Sequence, residues 1–257
     1  MKLKLWLKFG VLTILLTVGF ACGAFVNDLK NQNAPGKEQV YNSAGHVGTS
    51  AHDLLSNETF RDLTIEIQYT GEFAPTQEAL NKIQDFLSAH LNKNIALELP
   101  VQIESPHKTA YSVADIMALE NQNRKLFSTK DRLTAYYLFV DAPSRDDHGN
   151  EKLLGQAYRN TSMVIYEKTI QDLATVNLPL MEGTVMAHEF GHIMGLVNIG
   201  TSAQNLIHVD STHHCANPFC LMNRNAETSR ILQQQLVERI PDFDEDCLAD
   251  LRRNGGK

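Results

Sequence analysis

The stretch His188-Glu189-Phe190-Gly191-His192-Ile193-Met194-Gly195-Leu196-Val197-Asn198 holds the densest chemistry in the chain and dictates what must be built around it. Residues four apart on an α-helix share a face, so His188 and His192 can aim two imidazoles at one point. Neutral imidazole is a good zinc ligand, and two from one turn fix two corners of a tetrahedron. Glu189 projects beside them, placed to take a proton from a metal-bound water rather than to bind the metal. Thr184-Val185-Met186-Ala187 is helix-compatible, and Gly195 stands where the helix must break. Five of the ten histidines fall between positions 188 and 214, a clustering foreign to solvated surface.

Outward from this motif, a resemblance takes shape. Residues 188–198 (HEFGHIMGLVN) resemble the zinc-binding helix of the metzincin metallopeptidases, HExxHxxGxxH, and Cys220-Leu221-Met222 resembles their Met-turn. His214-Cys215, four residues, then Cys220-Leu221-Met222 is similar to the archaemetzincin pattern, in which the third histidine directly precedes a cysteine. The resemblance implies a catalytic zinc, a peptide or protein substrate, Glu189 as the catalytic residue, and Met222 beneath the metal. It is strong over residues 181–223; the strand and helix order before them is compatible with the family fold without being specific to it.

One position departs from the pattern. Asn198 stands at the usual third-ligand place, and a neutral amide is a poor zinc ligand. His214, sixteen residues on, restores both the His-Cys pair and the eight-residue step to Met222, with residues 199–213 as an insertion between helix and ligand. Other candidates for the third ligand inside the insertion are His208, Asp210 and His213. A gluzincin-type site, with Glu227 or Glu238 as third ligand, is the within-class alternative. A helix break at Gly195 with Met222 under the metal would argue against it.

The cysteines of the mature chain pose a second question. In the family pattern a C-terminal CxxC joins the first two cysteines around a structural zinc. Here Asp244 replaces one member, leaving Cys215, Cys220, Cys247 and Asp244. Three thiolates and a carboxylate can hold zinc; a disulfide with one free thiol is the other reading for an exported protein.

The remaining chain sketches the scaffold. Residues 63–69 (LTIEIQY) alternate with period two, a half-buried strand. Thr76 caps a helix to about Leu91, and residues 95–103 form a second strand that Pro100 confines to an edge or a bulge. Ser112, with Asp115 at the reciprocal position, caps a helix to about Phe127. Residues 133–140 (LTAYYLFV) read as a central strand, and residues 155–167 as one more strand, bent near Asn160. A tail helix is expected over about 227–238. The fold class is therefore α/β (α+β): an open mixed twisted sheet with covering helices, a zinc-binding helix, a Met-turn and a small helical C-terminal part. Asp146, Asp147 and Asn150 lack an EF-hand spacing and read as a solvated loop.

At the other end, Lys2, Lys4 and Lys8 precede an apolar run, Val11 to Phe20, and then Ala21-Cys22-Gly23-Ala24. Charge, length and order are those of a secretory signal, and a small residue before Cys22 resembles a bacterial lipobox, in which that cysteine is lipidated. Ordinary cleavage after Gly23 or Ala24 is the alternative. The expected organisation is a signal over 1–21, a polar tether over 22–59 and a peptidase domain over 60–257. The whole chain of 257 residues carries a formal charge of −7. Loss of three lysines with the signal leaves 20 basic against 30 acidic residues, which argues against nucleic acid as a partner. The sequence thus predicts an exported, lipid-anchored zinc metallopeptidase on the membrane surface. A surface lipoprotein retaining a metal site without catalysis is the alternative from another class.

Overall fold

The computed structural model of the chain describes residues 41–174, 177–229 and 239–257. The signal segment and Cys22 lie outside the described residues, as does nearly all of the expected tail helix. No helix among the described residues is long and apolar enough to cross a membrane.

The strand expected at 63–69 is β1, Asp62–Thr70, and the aromatic run forms β4, Leu133–Phe139. The two pair in parallel from Leu63↔Leu133 to Tyr69↔Phe139. Alternate residues of β4 feed two separate cores: Leu133, Ala135, Tyr137 and Phe139 on one face, Tyr136 and Leu138 on the other. Burial on both faces is what an unbroken apolar strand in a parallel sheet requires. The sheet runs β2 (Asn94–Leu97), β1, β4, β6 (Ser162–Ile165), β5 (Gly155–Arg159), with β3 (Val101–Ile103) also on β1. All pairs are parallel except β5 with β6. β2 and β3 follow one another along the same edge of β1, and Pro100, unable to donate to a ladder, falls in the gap between them.

The helices settle onto this sheet by their apolar faces. α1 (Ala51–Leu55) leads the chain in, and α2 (Gln77–His90) starts at Thr76, whose side chain accepts the amide of Ala79. α2 buries Leu80, Ile83 and Leu87 in the core that also takes α5 (Leu178–Ile193). α3 (Val113–Asn123) covers the opposite face and opens with the expected Ser112–Asp115 capping box. α4 is Glu167–Leu173 and α6 is Glu245–Arg253. The result is a mixed α/β fold with an open sheet and six α-helices among the described residues.

Four details differ from the sequence reading. β1 is buried on both faces, because its polar residues find partners instead of water: Glu66 accepts the amides of Lys125 and Leu126, and Gln68 bonds to Glu66 and to the Tyr136 hydroxyl. α3 stops at Asn123 rather than Phe127, since those same amides of Lys125 and Leu126 are drawn away to Glu66. The bent strand at 155–167 is instead a tight antiparallel pair, β5 and β6, turning at Asn160 and Thr161. The expected tether does not extend to residue 59. From residue 41 the chain is packed: Leu54 and Leu55 are fully buried, Tyr41 meets Phe60 edge-on at 5.7 Å, and Asn160 donates to the Asn42 carbonyl.

Candidate metal centre

Helix α5 is fully buried from Leu180 to Ile193, so the histidine motif sits on an inner element rather than on a solvated helix. Asn177 caps its start with a side-chain bond to the amide of Leu180. The Tyr137 hydroxyl donates to the Met186 carbonyl at 2.7 Å and ties the helix to the central strand just before His188. The helix ends where the sequence demanded it: Gly195 has φ +80°, and a Cβ there would come within 2.8 Å of Ala51 Cβ and of Thr201 Oγ1. Only glycine combines that left-handed backbone with that close approach.

Beyond the break the insertion loops out and returns. The Val209↔Cys215 bridge closes it, with the amide of Ala216 donating to the His208 carbonyl at 2.7 Å. Asp210 does not turn toward the motif; its carboxylate accepts the amides of Thr212 and His214 and shapes the turn. His213 is exposed, and His208 turns Nδ1 toward the Asn205 carbonyl. Asn198 accepts from the amide of Ala203. None of these four joins the metal-competent groups among the described residues, whereas His214 does.

His188, His192, His214 and Glu227 offer ligand atoms that all lie within 4.8 Å of one another. The Nε2 atoms of His188 and His192 are 3.1 Å apart; zinc–nitrogen bonds of about 2.0–2.1 Å in a tetrahedron would set such atoms about 3.3–3.4 Å apart. His188 Nδ1 donates to the Leu221 carbonyl at 2.7 Å, which leaves the lone pair of Nε2 facing inward. Burial lowers the basicity of His188 to a pKa of about 4 and holds His192 well below the ordinary range, so both rings are neutral and able to ligate. His214 Nε2 is buried without an aligned hydrogen bond although Glu227 Oε1 is 3.1 Å away. Three ring nitrogens and a carboxylate drawn into one buried space, one of the nitrogens without a partner, fit a shared cation.

Glu189 stands beside this group and outside it. Its Oε2 accepts the amide of Ala157 on β5 at 2.7 Å, and its Oε1 is buried without a partner. Burial first, and the neighbouring Glu227 second, push its carboxyl well above the usual range. Met222 packs under the helix: a Cβ on Gly191 would fall 2.2 Å from Met222 Sδ. The glutamate and histidine readings of the third ligand therefore meet in one cluster, with Glu227 present in addition to His214 rather than in its stead. Glu238 lies outside the described residues.

The second group is Cys215, Cys220, Asp244 and Cys247, again with ligand atoms within 4.8 Å. All three thiols are free, and Cys220 and Cys247 Sγ stand 3.7 Å apart. Asp244 caps α6 through Oδ1 to the amide of Cys247 and leaves Oδ2 to Cys215 Sγ at 3.1 Å. Hydrogen bonds from Cys215 and Cys247 push the Cys220 thiol down to about 5, which favours the thiolate that a metal needs. Asp146, Asp147 and Asn150 form no such group among the described residues; Asp147 accepts the amide of Leu153 and pairs with Lys152.

No protein-family model matches this sequence, and no curated protein does. Among solved structures the chain is similar to the archaemetzincin of Methanopyrus kandleri, at 16% identity over 77% of this chain and 97% of that one, with a TM-score of 0.51. It is also similar to the archaemetzincin of Archaeoglobus fulgidus complexed with malonate, at 14% identity over 73% and 99%, with a TM-score of 0.44. The first likeness shows a shared fold.

Proposed function

We propose that this chain is a zinc-dependent metalloendopeptidase, exported and held at a membrane surface through a lipid on Cys22. The observation that carries the reading is the convergence of His188, His192 and His214 beside a buried glutamate whose one free oxygen has no partner. Bound at the three ring nitrogens, zinc supplies a Lewis acid that polarises a scissile carbonyl and acidifies a water. The chain supplies the rest. His188 is oriented by Leu221 and His214 by Thr212, whose hydroxyl lies 3.0 Å from His214 Nδ1. Glu189, anchored through Oε2 on β5, has Oε1 free to take a proton and return it to a leaving amine.

The cysteine group supports a second, structural zinc, because its three thiols are buried and free of disulfides and a half-buried Asp244 completes a set of four. Export and anchoring rest on the N-terminal signal pattern and Cys22.

The test combines zinc stoichiometry of the mature protein with a peptide-library digest, repeated on Glu189→Gln. Zinc should stay bound in the variant while hydrolysis falls by roughly 10²–10⁴. Zinc binding without hydrolysis in the wild type, with the site shown open to ligands, would favour the non-catalytic lipoprotein; unchanged turnover in the variant would refute the role of Glu189.

A further inference from the structure

Glu227 belongs to a short 3-10 turn, Arg224–Glu227, that follows the Met-turn and is capped by the Asn223 side chain on the amide of Asn225. After it the backbone straightens beside the open edge of the sheet. The Leu154 amide donates to the Glu227 carbonyl at 2.7 Å, Leu153 and Thr228 form an antiparallel bridge, and the Ser229 amide donates to the Lys152 carbonyl at 2.8 Å. Leu154 is already bonded on its other side, accepting from the Tyr166 amide. Thr228 thus bridges the run that leads into β5, the strand that also anchors Glu189, with backbone hydrogen bonds on either side of it at Glu227 and Ser229. Ala226 and Thr228 are buried. An ion pair of Arg224 with Glu151, 3.0 Å, and a bond from the Lys152 amide to Ser229 Oγ, also 3.0 Å, hold both ends.

The same pairing sets the carboxylate of Glu227 among the histidines. Oε1 is 3.1 Å from His214 Nε2, and Oε2 is 3.7 Å from His188 Nε2 and 4.0 Å from His192 Nε2. The side chain is 12% exposed. A carboxylate is an ordinary zinc ligand, and four protein ligands make a closed site, whereas a catalytic site keeps one position for water. An extended peptide is commonly recognised by adding a strand to a free sheet edge. This segment uses both the edge and the fourth position at once.

We propose that Arg224–Ser229 is an internal strap that closes the metal centre, with Glu227 as a fourth protein ligand in the place of the attacking water and residues 227–229 on the edge an extended substrate would use. The proposal rests on the metal-site reading above, and hydrolysis begins only when the strap is displaced. A strap that is open in about one molecule in ten or fewer weakens any ligand of the open position by that factor or more.

The experiment loads the full mature chain with cobalt(II) in place of zinc and titrates acetohydroxamate, following the visible cobalt spectrum. This readout does not depend on peptide hydrolysis. Glu227→Ala removes the ligand, and Glu227→Gln keeps the shape with a poorly ligating amide. Ser229→Pro deletes the amide that bonds to Lys152 while leaving every ligand in place. Acetohydroxamate should bind the variants that fold about tenfold or more tightly than it binds the wild type. Equal affinity in wild type and variants would overturn the strap while leaving the metal site intact. Failure of the wild-type histidine cluster to take up cobalt or zinc at all would overturn the metal-site reading and the strap with it.

Discussion

Gly191 lies between the two motif histidines, and replacing it by alanine sets two effects of opposite sign against each other. An interior glycine costs a helix about 1 kcal/mol relative to alanine, so propensity alone predicts a stabilised protein. The structure predicts the reverse. The new Cβ would lie 2.2 Å from Met222 Sδ and 3.0 Å from Met222 Cε, where ordinary contact begins at 3.4 Å, so the sulfur must retreat by at least 1.2 Å. Met222 is wholly buried, and forcing a methyl into a packed core costs about 1–3 kcal/mol. The net is a loss of about 1 kcal/mol, or a Tm lower by about 2–4 °C in a chain of this size. The strain also reaches the proposed metal ligands. The Met222 carbonyl accepts the amide of Cys215, next to His214, and the adjoining Leu221 carbonyl orients His188. Zinc affinity should fall with Tm, measured by thermal denaturation at fixed zinc and by competition with a chromophoric chelator. Gly191→Ala combined with Met222→Ala should restore part of what the two lose separately, a coupling of about 1 kcal/mol. A Tm that rises in Gly191→Ala, or strictly additive losses in the double variant, would show that Met222 does not pack under this helix.

His214→Ala should strip zinc from the histidine cluster and abolish hydrolysis, whereas His208→Ala should leave both near wild type; the opposite pattern, read as zinc site by site, would move the ligand into the insertion. Glu167 is buried against Glu182, and burial followed by that neighbour raises its carboxyl to about 10. The folded chain thus keeps a proton that the unfolded chain releases near 4.5, so this contribution is whole below that pH and is lost as pH rises toward 10. Glu167→Gln should match wild type in Tm at pH 5 and exceed it by a few degrees at pH 9, at about 2–4 °C per kcal/mol; a variant equally or more sensitive to alkali would contradict the assignment. Cys22→Ser should abolish labelling by a lipid precursor and release the protein from the membrane fraction. A wild-type N-terminus at Gly23, Ala24 or Phe25 without lipid would establish ordinary signal cleavage instead.

What could be read in advance follows the range of the interaction concerned. The facing of His188 and His192 is a property of one helical turn, and the Thr76 and Ser112 caps are properties of four residues, so each was legible and each stands in the structure. Asp244 was legible as a candidate ligand from its place before Cys247, but its second role, capping α6, needed the helix start to be seen. The β5–β6 turn at Asn160 and Thr161 was a local misreading; the others concern partners distant in sequence. Glu66 and Gln68 look solvent-facing in an alternating strand, and only the return of residues 123–126 and Tyr136 across them makes burial tolerable. The polar arm before residue 60 has too few apolar residues to show a period, yet Leu54 and Leu55 are enough to seat it once Asn160 and Phe60 are in place.

Glu227 belongs to the same class of long-range effect. Along the chain it competes with His214 for one vacancy in a three-ligand motif, because a motif counts positions and has no place for a fourth protein ligand. What brings it into the centre is the pairing of residues 227–229 with residues 152–154, more than seventy positions earlier. That pairing follows from the sheet: β5 is antiparallel at the end of the strand order, and an edge left open invites a partner. The departure at Asn198 is linked to it by geometry. Moving the third histidine past a fifteen-residue insertion, residues 199–213, still returns His214 to the cluster, and it is His214 that Glu227 approaches most closely, at 3.1 Å. The insertion and the carboxylate thus meet at the same corner of the proposed site, and a shortened insertion that preserved zinc but raised acetohydroxamate affinity would show that the return of His214 also bears on how Glu227 is held.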